Sequence, residues 1–195
     1  MGSTWMVVLA WLVVLALWGA AVYNRLRLLR NRVENAWSQI DVQLKRRHDL
    51  IPNLVEVARG YMQHEASTLE AVARARSQAV QASEALRGHA GQALGALAVA
   101  EQALGSSLGR LMVVAEAYPE LKADAQMQSL SEEIASTENR IGFARQAYND
   151  EVMAFNDKAS QFPDLIWARL LGFAHMDMLQ STMNAQERQA PSVRF

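Results

Sequence analysis

The 195-residue chain contains no cysteine, which excludes thiol catalysis, disulfide frameworks and Cys-ligated zinc or iron–sulfur centres and leaves the redox compartment unspecified. Glycine (10) and proline (4) are scarce, so the punctuation that sheets and long loops need is mostly missing. Neither sign of charge is in excess: 19 Lys and Arg against 20 Asp and Glu give a net charge of -1, with no global drive toward nucleic acid, and no nucleic-acid partner is expected. Windows rich in Ala, Leu, Gln, Glu and Arg favour helix, and no strand alternation of useful length occurs.

The first segment, "WMVVLAWLVVLALWGAAV" (Trp5 to Val22), has no charged residue. As a helix it is roughly 27 Å long, enough to cross a hydrocarbon core. Trp5, Trp18 and Tyr23 lie near its ends, where aromatic rings suit the headgroup boundary. A cleaved signal peptide competes, since Gly19-Ala20-Ala21 offers small residues. "MGST" lacks the basic residues such a leader carries, whereas Arg25, Arg27, Arg30 and Arg32 follow the apolar run at once. A retained anchor is therefore expected, with a lipid membrane as its partner. The arginines are expected to hold the chain from Asn24 onward on the cytoplasmic side and to send the N-terminus across.

Past the anchor, Leu26, Leu29, Val33, Trp37, Ile40 and Leu44 recur at helical spacing, and Leu54, Val55, Ala58, Met62, Leu69, Val72 and Ala79 continue a similar stripe. "LRGHAGQ" (Leu86 to Gln92) reads as a connection, and Tyr118-Pro119 as a helix end. Met127, Ile134, Ile141, Tyr148, Phe155 and Phe162 then fall seven apart, with Leu130, Thr137, Ala144, Val152 and Ala159 as an approximate second row. This predicts coiled-coil-like packing in an antiparallel three- to four-helix bundle of long helices, an all-α fold. The expected organisation is an anchor over 1–23, a cytoplasmic bundle over 24–162, and an apolar helix and tail over 163–195.

The stretches "YNRLRLLRNRVENAWSQIDVQLKRRHDLIPNLVEVARGYMQHE", "LGRLMVVAEAYPELKAD", "ASTENRIGFARQAYNDEVMAFN" and the closing "APSVRF" resemble, in order, the LemA family. The resemblance implies a membrane-anchored helical bundle with no established enzymatic activity, and it supplies no catalytic residue to carry over.

Chemical motifs are few. The residues three before His48, His64, His89 and His175 are Lys45, Tyr61, Leu86 and Gly172, so the Glu-x-x-His pairs of a di-iron bundle are missing, as is H-E-x-x-H. Neither a phosphate-binding G-x-x-x-x-G-K-[ST] loop nor a G-x-S-x-G elbow occurs. No catalytic residue, metal or cofactor is expected. The cluster Arg46, Arg47, His48 and Asp49 before Pro52 reads as a helix boundary or kink: Asp49 can cap a helix with Pro52 in its first turn, and a contact surface can be built on that boundary. If the chain reverses there, four helices alternate and Phe162 returns to the bilayer. If Pro52 only bends one helix, three alternate and Phe162 ends at the far pole. Thr137, Asn139, Arg140, Asn149 and Asn156 are candidates for fixing core register or lining a groove. Leu165, Ile166, Trp167, Leu170, Leu171 and Phe173 form a compact apolar set suited to a membrane surface, and this chemistry favours the return.

The reading is a non-enzymatic scaffold that homo-oligomerises through its membrane-proximal helix, where Gly19, Ala20 and Ala21 permit close approach, and that admits a further protein partner. The rival is a membrane-surface remodelling protein gripping lipid through its basic segment and C-terminal apolar helix.

Overall fold

A computed structural model of the chain describes residues 2–86 and 93–179. The order is α1 (Gly2–Tyr61), α2 (Ala66–Leu86), α3 (Ala93–Ala115), α4 (Pro119–Ala123), α5 (Ala125–Ser160) and α6 (Asp164–Leu170), with no strand among the described residues. The all-α helical bundle is thus the fold. The glycine-bearing connection over 87–92 and the closing "APSVRF" lie outside the described residues. The chain divides into two compact units, one of residues 39–144 and one of residues 1–38 with 145–195.

The contiguous unit takes one stripe from each helix. On α3, Leu97, Glu101, Leu104, Leu108, Leu111 and Ala115 are all buried at alternating steps of four and three, a coiled-coil-like seam with one charged member. Ile51, Leu54, Ala58, Leu69, Val72, Met127 and Ile134 join the same core from α1, α2 and α5. Short connections make successive helices neighbours and antiparallel. Between α3 and α5, Asp124 caps the start of α5, its Oδ1 accepting from the Met127 N–H at 2.9 Å. The Tyr61 hydroxyl donates to Asp124 Oδ2 at 3.0 Å.

Two expectations about α1 are corrected here. The helix runs through Pro52 to Tyr61, so no hairpin forms near Asp49 to Pro52 and Asp49 caps nothing. The reversal comes later, over Met62 to Glu65, where Glu65 N–H donates to Met62 C=O at 3.1 Å. Pro52 is tolerated because it sits on the exposed side of α1, and because the acceptor it cannot serve, the His48 carbonyl four residues back, takes Arg76 Nε at 2.7 Å instead.

In the other unit the residues of α1 from Trp5 to Leu17 are exposed apolar side chains, whereas Val22, Leu26, Leu29 and Val33 are buried. From α5, Tyr148, Val152, Phe155 and Ala159 are buried, which continues the seven-residue rows as far as Phe155. Phe162, the expected last member, is 81% exposed because α5 has already ended at Ser160. Ring pairs join the elements: Trp18 with Trp167 (6.1 Å, T-shaped), Tyr23 with Phe173 (5.8 Å) and Trp37 with Tyr148 (5.8 Å). Helix α6 closes on Gly172 at φ +75°, with Phe173 N–H donating to Ala168 C=O at 2.9 Å and Gly172 N–H to Arg169 C=O at 3.3 Å. This left-handed cap suits glycine.

Candidate functional site

The helical stripe of α1 would place apolar residues at 47 and 48, yet Arg47 and His48 occupy the inward face and are buried. They are compatible with a core because α3 brings Glu101 to them, itself buried at the charged position of its seam. His48 Nε2 lies 2.7 Å from Glu101 Oε1. Arg47 Nη1 faces Glu101 Oε2 at 3.5 Å, an ionic contact and not an aligned hydrogen bond, and it also pairs with Glu138 of α5, whose side chain is 56% exposed. Among the described residues, Arg47 Nε and the Gln43 amide oxygen find no hydrogen-bond partner. Gly105, one turn beyond Glu101, leaves space beside the Arg47 guanidinium. Charge alternates through the network, so each buried ion has a counter-ion, the condition under which buried charge is tolerable. Among the described residues no Ser, Thr or Lys side chain takes part in it.

The remaining members of the expected 46–52 cluster face outward. Arg46 pairs with Glu133 at 3.8 Å, and Asp49 and Pro52 are exposed. Beside Pro52 a cleft of about 330 Å³ opens, lined by Ile51, Val55, Glu56, Arg59, Ala73 and Arg76. Among the described residues no group of three His, Asp or Glu side chains could hold a metal ion.

The candidates on α5 separate. Thr137 is buried, but its hydroxyl donates to the Ile134 carbonyl of its own helix at 2.8 Å and reaches no other helix. Asn139 and Arg140 are exposed, which removes them from the core, since two and three residues beyond Thr137 the helix has turned its side chains away. Asn149 and Asn156 point inward and bind the non-helical segment after α6. The Tyr148 hydroxyl donates to the Asp177 carbonyl at 3.3 Å, and burial together with the nearby Asp177 charge pushes its ionisation up.

In the apolar set of α6, Trp167 and Phe173 turn inward, Leu165 is half-buried, and Ile166, Leu170 and Leu171 are exposed. Trp167 covers Gly19 so closely that a Cβ there would stand 2.9 Å from its ring. Of the three small residues expected to permit close approach of copies, Gly19 is thus covered by its own chain, while Ala20 and Ala21 are exposed. Trp5 is 70% exposed, and Arg25, Arg27, Arg30 and Arg32 are all exposed, Arg30 pairing with Glu34 at 3.4 Å.

Glu101 and Arg76 were not among the expected site residues. A charged residue inside the 97–101–104–108 stripe was a legible signal for Glu101, whereas nothing local marks Arg76.

Fold and site together define an all-helical protein with one N-terminal helix long and apolar enough to cross a membrane. A profile of the LemA family matches residues 36–195, and the chain belongs to that family. It is similar to the magnetosome proteins MamQ 1 and MamQ 2 of Paramagnetospirillum magneticum, each 25% identical over 175 residues and 81% of this chain. A third relative, the magnetosome protein MamQ of Magnetospirillum gryphiswaldense, is 24% identical over 80% of the chain. The chain spans 64% of the length of the first two relatives and 63% of the third.

Proposed function

We propose that this protein is a membrane-anchored, non-catalytic scaffold that self-associates at the cytoplasmic face of a bacterial inner membrane. The observation that carries the reading is the exposure of the apolar half of α1: Trp5, Leu9, Trp11 and Leu17 are each more than half exposed, so this is not the hidden core helix of a water-soluble protein. Cleavage at Gly19 to Ala21 would sever a continuous helix at the point where Trp167 packs on it, which supports retention of the segment. The buried charges are spent on one another, which supports an architectural role for them. Relatives named as magnetosome proteins support the membrane association.

Ile166, Leu170 and Leu171 favour a second reading, lipid-surface binding or remodelling, because three apolar side chains of one short segment are exposed beside Arg169. Chemical crosslinking in native membranes followed by mass spectrometry tests the first reading, with self-crosslinks expected and their absence overturning it. Vesicle binding with and without residues 162–173 tests the second.

A further inference from the structure

Asn149 and Asn156 stand seven residues apart on α5, and each holds one residue of the segment after α6 by two hydrogen bonds. Asn156 Nδ2 donates to the Met176 carbonyl at 2.9 Å while its Oδ1 accepts from the Met176 N–H at 2.9 Å. Asn149 repeats the pattern on Leu179, with both bonds at 2.8 Å. Seven helical residues span about 10.5 Å, and three residues of chain reach at most about 10–11 Å, so Met176 to Leu179 must be nearly fully extended. The two amides are thus spaced as a ruler for extended backbone, and each satisfies both the N–H and the C=O of one residue, as a neighbouring strand would.

None of these four bonds depends on the occupant's side chains. Ala174, His175, Asp177 and Met178 are exposed, and Met176 and Leu179 only half-buried, so little apolar surface holds the segment down. Phe173, by contrast, is clamped between Tyr23 and Phe155. Beyond Phe173 the segment is therefore held mainly by hydrogen bonds to α5 and not by buried apolar surface.

We propose that Asn149 and Asn156 form a docking groove for extended polypeptide, and that in the self-associated protein the occupant is residues 174–179 of a second copy, exchanged for the chain's own. This rests on the self-association reading. A second copy is the fitting occupant because its segment restores all four bonds, the Tyr148–Asp177 bond and the half-buried Met176 and Leu179 unchanged, so exchange creates an intermolecular link without any new complementary surface. Confinement to a membrane raises the effective concentration that a backbone-only contact needs.

The test uses the full chain, co-expressed in two differently tagged forms, with a photo-crosslinking residue replacing Met178, which is 46% exposed. Irradiation in membranes is expected to join the two tags, with the adduct mapping to α5 beside Asn149 and Asn156. Asn149→Ala with Asn156→Ala should lower the intermolecular adduct by at least about tenfold, because four hydrogen bonds are lost and a net loss near one already produces that factor. Among the described residues these two side chains bond only the segment, and a circular dichroism spectrum matching the parent confirms that the helices persist. An adduct confined within one chain, in protein that sediments as an oligomer, overturns the exchange and leaves self-association standing. Monomeric protein overturns both. An adduct to a different protein overturns the second copy as occupant, and an adduct insensitive to both substitutions overturns the groove.

Discussion

Arg76 Nε stands 2.7 Å from the carbonyl oxygen of His48, the acceptor on α1 that Pro52 has no N–H to satisfy. The proline and the arginine are therefore coupled through a third residue. Arg76→Ala should destabilise the protein by about 1–2 kcal/mol, the cost of leaving a partly buried carbonyl without its charged donor. In a Pro52→Ala background the restored N–H can serve the same carbonyl, and the cost of Arg76→Ala should fall to less than half. A double-mutant cycle by urea denaturation in detergent reads this difference, and equal costs in both backgrounds would refute the coupling.

The buried network predicts an asymmetry between single and double substitutions. Arg47→Leu strands Glu101 with His48 alone and should cost about 3–5 kcal/mol, whereas Arg47→Leu with Glu101→Leu should recover much of that loss. Ile141→Asp buries an uncompensated carboxylate in a fully enclosed position and should be similarly severe, while Gln146→Asp, exposed five residues on, should be mild. Thermal unfolding of the four variants checks the ordering.

The Tyr61–Asp124 bond sets opposite pH limits. The Met127 N–H and the Tyr61 hydroxyl hold the Asp124 carboxyl below its ordinary value, so its contribution is present above the unfolded carboxyl range and is lost as pH falls through the depressed folded value. The bond to Asp124 and its charge raise the Tyr61 phenol, so that contribution is present below the ordinary phenol value and is lost as pH rises through the elevated one. Tyr61→Phe should lower the melting temperature slightly at neutral pH. The deficit relative to the parent should shrink at both the acid and the alkaline end, and a constant deficit would show that the bond is not the cause.

The proposed orientation rests on the four arginines after Val22. A cysteine at Ser3 should react with a membrane-impermeant thiol reagent in intact cells, and one at the exposed Ser129 only after lysis; the reverse pattern would invert the proposed topology. Trp167, left as the sole tryptophan in reconstituted vesicles, should be quenched by lipid-borne quenchers, and no quenching would sink the assignment of α6 to the bilayer surface.

Most of the fold was legible where one face of a helix is apolar over many turns. The α3 seam and the row Met127 to Phe155 follow directly from side-chain spacing. The turn after Tyr61 was hidden because Met62 and Leu69, both buried, keep a seven-residue interval across it, so periodicity alone reads straight through the reversal. His48 was noticed but its partner was not, since Glu101 lies 53 residues away and no local rule links them. The sequence marks Asn149 and Asn156 as candidates for fixing register or lining a groove without saying what they hold. Their actual partner is main chain, and main chain has no signature in a sequence.

The two compact units also differ in how they can be completed at the ribosome. Residues 39–144 form an unbroken interval, so every helix of that unit has been synthesised by the time α5 is partly made, and it can close early. The other unit draws on both ends of the chain. Gly19 waits uncovered in nascent α1 until Trp167 emerges, and throughout that interval its small-residue face is open to whatever lies beside it. Vectorial synthesis thus leaves Gly19 uncovered for an interval that ends when Trp167 packs on it, and a Gly19→Leu substitution would remove the nascent and the final contact together.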